Sequence, residues 1–579
     1  MYPSAKSPNE LNEKLGGSAI DCYVNELKHY VKRKGLTLFG TQGSAAWDGI
    51  YRTRSLAVTA LIGITNGAVY RINSNGTFTA YTGATVTVGG VPHFTEDGTN
   101  VFVAHGGRLT RLDTVGLVAI TLSGGNSPTN VTFVSYLDGF LVCDGAIGGG
   151  GIAGDLNFSD DKDNAYEAST SWEVFNNEAL GDACTAVAVQ WQEIFCFGPE
   201  SMEASYNDGE SPFARIDGGI SPYGIMAPNS LLNVDNTLYF LSRVDGAVRL
   251  MRLEGRRPVV ASESYDKQLQ TITTISSGRA FSIVDDGKPF YCISFPAPDN
   301  ITLAFNLRTR QWSQFGHWEG ASAVGTLTST GTAPADGDTV TVGRYTYTFR
   351  AALTSPSVTG EVLIGVSAAV ALDNLKSAVN GTAGAGTTYA DGTLVNDEAT
   401  ATTNTDTTQV FQAFYSGAAG NDVATTETSS VLSFGASTLL GGTDVYTHFI
   451  GQCSEYWPEQ QKTLVGDRRA NGRMYTYSGF SDNTDPIRME MTSNVHGKGN
   501  LHWKFGGALL FNSVGSAFRA RFREPDETFE SFFFTVPTGA GLVTRLGNYV
   551  QRQYQIVHED TADTLILNMA EEWWEVGSH

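Results

Sequence analysis

Glu193–Tyr206 reads E-I-F-C-F-G-P-E-S-M-E-A-S-Y, and Leu238–Leu253 reads L-Y-F-L-S-R-V-D-G-A-V-R-L-M-R-L. Each is a short apolar run, a turn of Gly, Pro or Asp, and a second run in which apolar and polar residues alternate. That order predicts an antiparallel hairpin. The unit recurs on both sides of this pair. L-I-G-I-T-N-G-A-V-Y-R-I starts at Leu61, V-F-V-A-H-G-G-R-L-T-R-L at Val101 and F-L-V-C-D-G at Phe140. F-Y-C-I-S-F-P-A-P-D-N-I-T-L-A-F-N-L starts at Phe290 and T-L-V-G-D-R-R-A-N-G-R-M-Y-T-Y at Thr463. The first six starts are 40, 39, 53, 45 and 52 residues apart. Hairpins recurring at about that period predict a β-propeller. The alternative is a large β-sandwich whose hairpins recur by chance. No Trp-Asp or kelch signature fixes the number of blades.

The seventh start lies 173 residues after the sixth. Between them, residues 324–443 are rich in Ala, Thr and Gly and carry 10 acidic and 3 basic residues. Removing these 120 residues leaves 173 − 120 = 53, which restores the period. The reading is therefore an all-β chain: a six- or seven-bladed propeller with a small α+β domain inserted before its last blade. Within the insertion, Thr339–Val342 and Tyr345–Phe349 predict a hairpin around Gly343-Arg344. Ser367 caps a helix running to about Val379, with Leu372, Leu375 and Val379 on one face. Strands are expected at Thr408–Phe414 and Val423–Glu427. Residues 480–579 alternate in five or six runs and predict a C-terminal β-sandwich or sheet. The boundaries are an N-terminal arm at 1–37, propeller at 38–323, insertion at 324–443, last blade at 444–479 and terminal sandwich at 480–579.

Several stretches carry a family resemblance. F-C-F-G-P-E-S-M-E-A-S-Y-N-D-G from Phe195 is followed by F-A-R-I-D-G-G-I-S-P-Y-G-I-M-A-P-N-S from Phe213. A strand ending in Phe-Gly, a strand with Glu and an aromatic, and an Arg before Gly-Ile-x-x-x-Gly-Ile make the pattern. L-Y-F-L-S-R-V-D-G from Leu238 and T-L-A-F-N-L-R-T-R-Q-W-S-Q from Thr302 continue it. This resembles the packaged-DNA-stabilisation proteins of short-tailed phages (podoviruses), also called tail hub or nozzle proteins, over about residues 36–320 and 445–579. The resemblance implies a virion protein made in the host cytoplasm, a structural part of the tail and not an enzyme. It implies a homohexameric ring that retains packaged DNA and serves as a conduit for its ejection. The implied partners are further copies of the chain, tail adaptor or portal-proximal proteins, and tail needle, tailspike or fibre proteins. DNA passes without specific binding. The inserted module is similar to exposed decorations found in many phage structural proteins.

Composition bounds the chemistry. At 579 residues the chain is long enough for two to four domains. Its 38 basic and 60 acidic residues give a net charge of −22. Holding duplex DNA by phosphate neutralisation requires a cationic surface. An acidic conduit wall repels DNA and lets it slide; plain solubility explains the same charge. The densest basic cluster is Lys28, His29, Lys32, Arg33 and Lys34, in a stretch that could be a short helix or a strand. It reads either as an arm touching DNA or a neighbouring subunit, or as a solvated terminus. Six cysteines lack Cys-x-x-Cys spacing. Cys143, Cys196 and Cys292 fall within apolar runs and read as buried free thiols. The N-terminus lacks the apolar core of a signal peptide, and no apolar run is long enough to span a membrane.

No enzyme signature holds. His-Glu-x-x-His, Gly-x-Ser-x-Gly and the Walker loop are absent. Gly149, Gly151 and Gly154 match Gly-x-Gly-x-x-Gly, but a strand and turn follow where phosphate binding needs a helix. Ser159–Asn164 is an acidic turn short of the ligands a calcium loop needs. The nearest fragment to a sialidase box, E-D-G-T-N-V-F at Glu96, lacks its Ser and Trp. Pairs such as Arg215 and Asp217 are expected by chance. No catalytic, cofactor-binding or metal residue is named, and no cofactor is expected. The alternative function is a virion-associated propeller that binds or cleaves glycans. A generic cellular scaffold is a third. Trp573 and Trp574 could dock on a neighbouring chain or cover the edge of their own sheet. The charge generates a first expectation: little retardation of duplex DNA in an electrophoretic shift at low micromolar protein and physiological salt. A tight, salt-sensitive complex would reverse this reading.

Overall fold

A computed structural model of the chain describes residues 18–575 except 28, 55–59, 125, 148–155, 160–171, 176–180, 210–212, 263–265, 356, 493–503, 524–533, 537–538, 550–551 and 561–564. Along 175, 266–267, 504–512, 534–535, 540–549, 560 and 565–575 it describes the backbone alone. Antiparallel sheets succeed one another along the chain, and each hairpin read from the sequence supplies the second strand of one of them. The first sheet is Trp47–Thr53, Ala60–Thr65, Ala68–Ile72 and Phe78–Ala80. The second starts at His93–Glu96, the third at Val134–Leu137, the fourth at Ala186–Gln190, the fifth at Leu232–Val234 and the sixth at Arg279–Asp285. The seventh pairs Gly451–Trp457, Lys462–Asp467 and Arg473–Tyr477, and through Leu36–Thr41, Ser481–Asp482, Asp485–Thr492 and Ser18–Ile20 it is hydrogen-bonded into one continuous sheet with the sixth.

The fourth strand of the seventh sheet comes from the other end of the chain. Leu36–Thr41 lies antiparallel to Arg473–Tyr477, with Leu36 opposite Tyr477 and Thr41 opposite Arg473. The segment read as the start of the first propeller part is thus the outer strand of the last sheet.

Each of these sheets is buried on both faces, which is why their middle strands read as continuous apolar runs. Ile62, Ile64 and Val69 meet Val101, Val103 and Leu112 between the first and second sheets. Phe102 and Leu109 meet Leu141 and Trp172 between the second and third. One larger core joins the third, fourth and fifth, and others join the fifth to the sixth and the sixth to the seventh. The succession returns on itself: Trp47, Ile50 and Leu61 pack on Cys453, Leu464 and Met474. Trp47 is fully buried and donates from Nε1 to the Gly472 carbonyl at 3.1 Å. A Cβ on Gly466 would come within 2.6 Å of the Trp47 Cβ, so only glycine admits the indole there.

The residues of the resemblance pattern have structural work. The Ile225 amide donates to the Gly198 carbonyl at 2.8 Å. A Cβ on Gly224 would lie 2.4 Å from that same oxygen. The Gly-Ile turn therefore packs its backbone directly on the Phe-Gly strand end. Arg215 faces Glu203 at 3.8 Å across neighbouring strands.

Between Gln311–Trp318 and Tyr446–His448 the chain forms two further four-stranded sheets and a helix. The helix is Ala368–Asn380; Ser367 caps it by accepting from the Val370 amide at 3.3 Å, and Gly381 ends it at φ 61°. Leu372, Leu375 and Val379 pack on Val340, Tyr347, Phe349 and Phe411 in a core of their own.

Residues 18–37 are not an arm. Ser18–Ile20 pairs antiparallel with Asp485–Thr492, and Ile20 bridges to Gln314. Cys22–Val24 and Tyr30–Lys32 form a hairpin that meets Leu565–Glu575. The C-terminal sheets are therefore not self-contained: both incorporate strands from the N-terminal end. Of the basic cluster, Lys32 and Arg33 are buried, His29 and Lys34 are half-buried, and Lys28 lies outside the described residues. Arg33 is fully enclosed; its Nε donates to Asp21 Oδ1 at 2.6 Å, and its two terminal nitrogens fork onto Asp482 at 2.9 and 2.7 Å. Lys32 is buried, and Lys34 pairs with Asp285 and Asp286. A Lys-Arg-Lys run reads as solvated because its acidic partners are remote in sequence. Cys196 is likewise no free thiol. The pairing of Ala186 with Phe197 brings Cys184 alongside it, and the two are disulfide-bonded with Cα atoms 5.9 Å apart. Cys22, Cys143, Cys292 and Cys453 are free and buried.

One guanidinium serves two buried carboxylates. Burial alone pushes both up; it wins at Asp21, which has a single Arg33 bond, whereas the charge and forked bonds of Arg33, with His317, hold Asp482 down at about 2. Replacing Arg33→Met strands both acids, with an expected loss on the order of 3–5 kcal/mol in urea denaturation. Asp482→Asn is also destabilising at neutral pH. A depressed carboxylate stabilises above its unfolded value of 3.8, and the contribution is lost as pH falls through about 2. The deficit of Asp482→Asn against the native chain should therefore shrink between pH 4 and 2; a deficit that grows contradicts the assignment.

Candidate functional site: the cavity among the first strands

Where the first strands of the first, second, sixth and seventh sheets converge with residues 229–236, they enclose a cavity of about 660 Å³, partly open to solvent. The strands are held around it by bonds between sheets. Gln452 Nε2 donates to the Trp47 carbonyl at 2.7 Å, and Thr463 Oγ1 to the Val284 carbonyl at 3.2 Å. Ser454 Oγ donates to the Ser282 carbonyl. The Arg54 amide and the Thr53 hydroxyl both donate to Glu96 at 2.9 Å.

His93, in the second sheet, reaches across to Asn229 ahead of the fifth, with Nε2 3.2 Å from Oδ1. Its ring also lies on Phe133, which leads into the third sheet, at 3.9 Å between centroids. Burial pushes His93 down to about 4, so it is neutral near pH 7 and Nε2 is the donor. A duplex does not fit this space: its major groove alone is about 12 Å wide, and the cavity of about 660 Å³ is smaller than a cube of that edge.

The walls carry charge of both signs. Arg52 is paired with Glu459 at 2.6 Å and Asp235 with Arg308 at 3.7 Å. Arg279 donates to the Asp48 main-chain carbonyl. Burial lowers the Arg279 guanidinium and raises the Asp48 carboxyl, each opposed by the other's charge. Glu455 is enclosed by protein yet keeps partial solvent contact through the cavity. Burial pushes its carboxyl up to about 7 against the pull of Arg54 and Arg52. Cys453, raised to about 12 by burial, is an inert thiol at neutral pH.

A second constellation has the outline of a nucleophile and base. Ser516 Oγ lies 2.6 Å from His558 Nε2, and Lys32 Nζ lies 3.3 Å from His558 Nδ1. An ammonium can only donate, so Nδ1 is the acceptor and the proton sits on Nε2. The imidazole then donates to Ser516 and cannot take its proton. The arrangement is the reverse of a hydrolase triad, in which a carboxylate accepts from Nδ1.

The other residues singled out in the sequence are scattered. Gly149, Gly151 and Gly154, and the acidic turn from Asp160 to Asn164, lie outside the described residues; Ser159 is buried in a strand. Trp573 and Trp574 are in a strand described by its backbone. Among the described residues, no group of three or more His, Cys, Asp or Glu could hold a metal ion, and no helix is long and apolar enough to cross a membrane. Sequence reasoning missed the cavity. Arg279, His93, Asn229 and Glu455 come from four separate regions, and each alone looks like an ordinary strand or turn residue.

The family model described as "Bacteriophage P22 Gp10, beta-propeller" (Phage_stabilise) matches residues 34–323. That is half of the chain, and the chain belongs to this family of phage structural proteins with a β-propeller. No curated protein matches the chain. Among solved structures, the extracellular domain of BT4673 from B. thetaiotaomicron, described as a one-component system, is similar at 8% identity and a TM-score of 0.37. The similarity covers 93% of this chain and 60% of that one, and at that score says nothing about function here.

Glu455 supplies a testable consequence. A carboxyl raised in the folded state binds a proton that the unfolded state has lost, so its contribution falls as pH rises from its ordinary 4.5 to about 7. Glu455→Gln removes that fall. Relative to the native chain, its denaturation midpoint should gain between pH 5 and 7 and level off above; a gain on acidification contradicts the enclosed, weakly paired carboxyl.

Proposed function

We propose that this chain is a structural subunit of a short-tailed phage tail, one of six copies in a hub or nozzle ring that retains packaged DNA and conducts its ejection. The observation that carries the reading is the family match over residues 34–323. We read the succession of sheets as seven blades, the seventh closed by Leu36–Thr41. Residues 324–443 are proposed as an inserted decoration, with 480–579 and the N-terminal strands as a second structural unit.

The bridged cavity bears on where DNA runs. Because it is too small for a duplex, DNA does not thread one subunit; it passes through a channel that the copies surround. The burial of Arg33 and Lys32 removes the cationic stripe that would grip phosphates, and the charge of −22 favours sliding.

The insertion is fastened to the rest of the chain. Arg488 donates to the Ser416 carbonyl at 2.6 Å, pairs with Glu559 at 3.2 Å and stacks over Trp318 at 4.2 Å. Arg519 lies over Tyr415 at 4.7 Å. A decoration held this way keeps a fixed direction on the tail surface.

A ring above two-fold symmetry needs interfaces between unlike surfaces. Six copies carry 6 × −22 = −132 charges, so assembly is expected on an adaptor or portal-proximal ring rather than in free solution. Needle, spike or fibre proteins are the partners at the distal end. Mass measurement of the isolated chain and of intact tails tests this. Six copies per tail with an isolated protein that stays small supports it; a two-fold dimer in intact tails sinks it.

A further inference from the structure

We propose that the cavity among the first strands binds an acidic sugar, a hexuronate or a short chain of them. This goes beyond the tail reading and does not depend on it. The guanidinium of Arg279 is enclosed at the cavity wall and spends a hydrogen bond on the Asp48 carbonyl. Among the described residues it forms no ion pair within 4.0 Å. The Asp48 charge supports the guanidinium from within the wall without a direct ion pair, and the remaining planar fork matches the two oxygens of a ligand carboxylate.

The rest of the wall narrows the class. Asp48 and Glu455 present carboxylates to the same space. A bare phosphate or a fatty acid offers them few donors. A sugar hydroxyl donates to a carboxylate and satisfies it. Gln452 and Asn229 also line the space. Their bonds to Trp47 and His93 leave the Gln452 side-chain oxygen to accept and the Asn229 side-chain nitrogen to donate, as hydroxyl recognition requires. His93 is neutral and so does not compete with Arg279 for the anion. The volume of about 660 Å³ lies within the roughly 300–1,000 Å³ of small-molecule sites. A neutral sugar offers the fork of Arg279 no carboxylate; a hexuronate pairs its carboxylate there and its hydroxyls elsewhere.

The test is calorimetric titration of the full chain with digalacturonate, maltose and inorganic phosphate at matched ionic strength. Digalacturonate should bind at least tenfold more tightly than maltose or phosphate. Arg279→Met should weaken it at least tenfold. If Arg279→Met does not fold, Arg279→Lys keeps the charge, loses the fork, and should weaken binding several-fold. No heat with digalacturonate, equal binding of maltose, or an unchanged Arg279 variant overturns the proposal; phosphate binding alone would make the cavity an anion site and overturns it too. These outcomes are independent of how many copies stand in a tail.

Discussion

One buried guanidinium ties together the segments where strands from the two ends of the chain pair. Arg33 forks onto Asp482, bonds Asp21 through Nε and donates to the Gly316 carbonyl at 2.8 Å. Asp21 follows the first N-terminal strand, Gly316 lies in the last strand of the sixth sheet, and Asp482 follows the seventh sheet. The joint therefore fixes where Leu36–Thr41 enters the seventh sheet. A buried ion pair is a weak source of net stability beside well-packed apolar groups, but losing one partner is expensive. Its contribution here is register. A strand drawn from one end of the chain and laid on strands from the other has no turn to align it.

Once that strand is placed, apolar packing does the rest. Each sheet covers its neighbours on both faces, and Trp47 fills the contact between seventh and first, where Gly466 leaves room for the indole. Removing a large aromatic of this kind costs about 3–5 kcal/mol. The converging first strands leave a cavity whose walls carry charged and polar side chains.

Much of this was legible in the sequence because the hairpins are local. Period-two alternation and Gly, Asp or Pro turns mark each one within about twenty residues. The helix Ala368–Asn380 was legible from Ser367 and the spacing of Leu372, Leu375 and Val379. What was not legible depends on remote pairing. Lys32, Arg33 and Lys34 carry no local sign of burial, because Asp482 stands 449 residues from Arg33. Leu36–Thr41 reads as the beginning of the propeller, yet it pairs with Arg473–Tyr477 near the other end of the chain. Cys184 and Cys196 share no motif, and only the register of their hairpin brings them together. The cavity was invisible for the same reason.

Amide hydrogen exchange along Leu36–Thr41 tests the closure most directly. The account predicts that these amides are protected to the same level as those of Lys462–Asp467 and Arg473–Tyr477, opening only with the whole molecule. In Arg33→Met their protection should fall first, by orders of magnitude, while the first five sheets hold. Loop-like exchange of Leu36–Thr41 in the native chain would contradict it: the ring would then not be closed by its N-terminal strand, and the buried guanidinium would not be its joint.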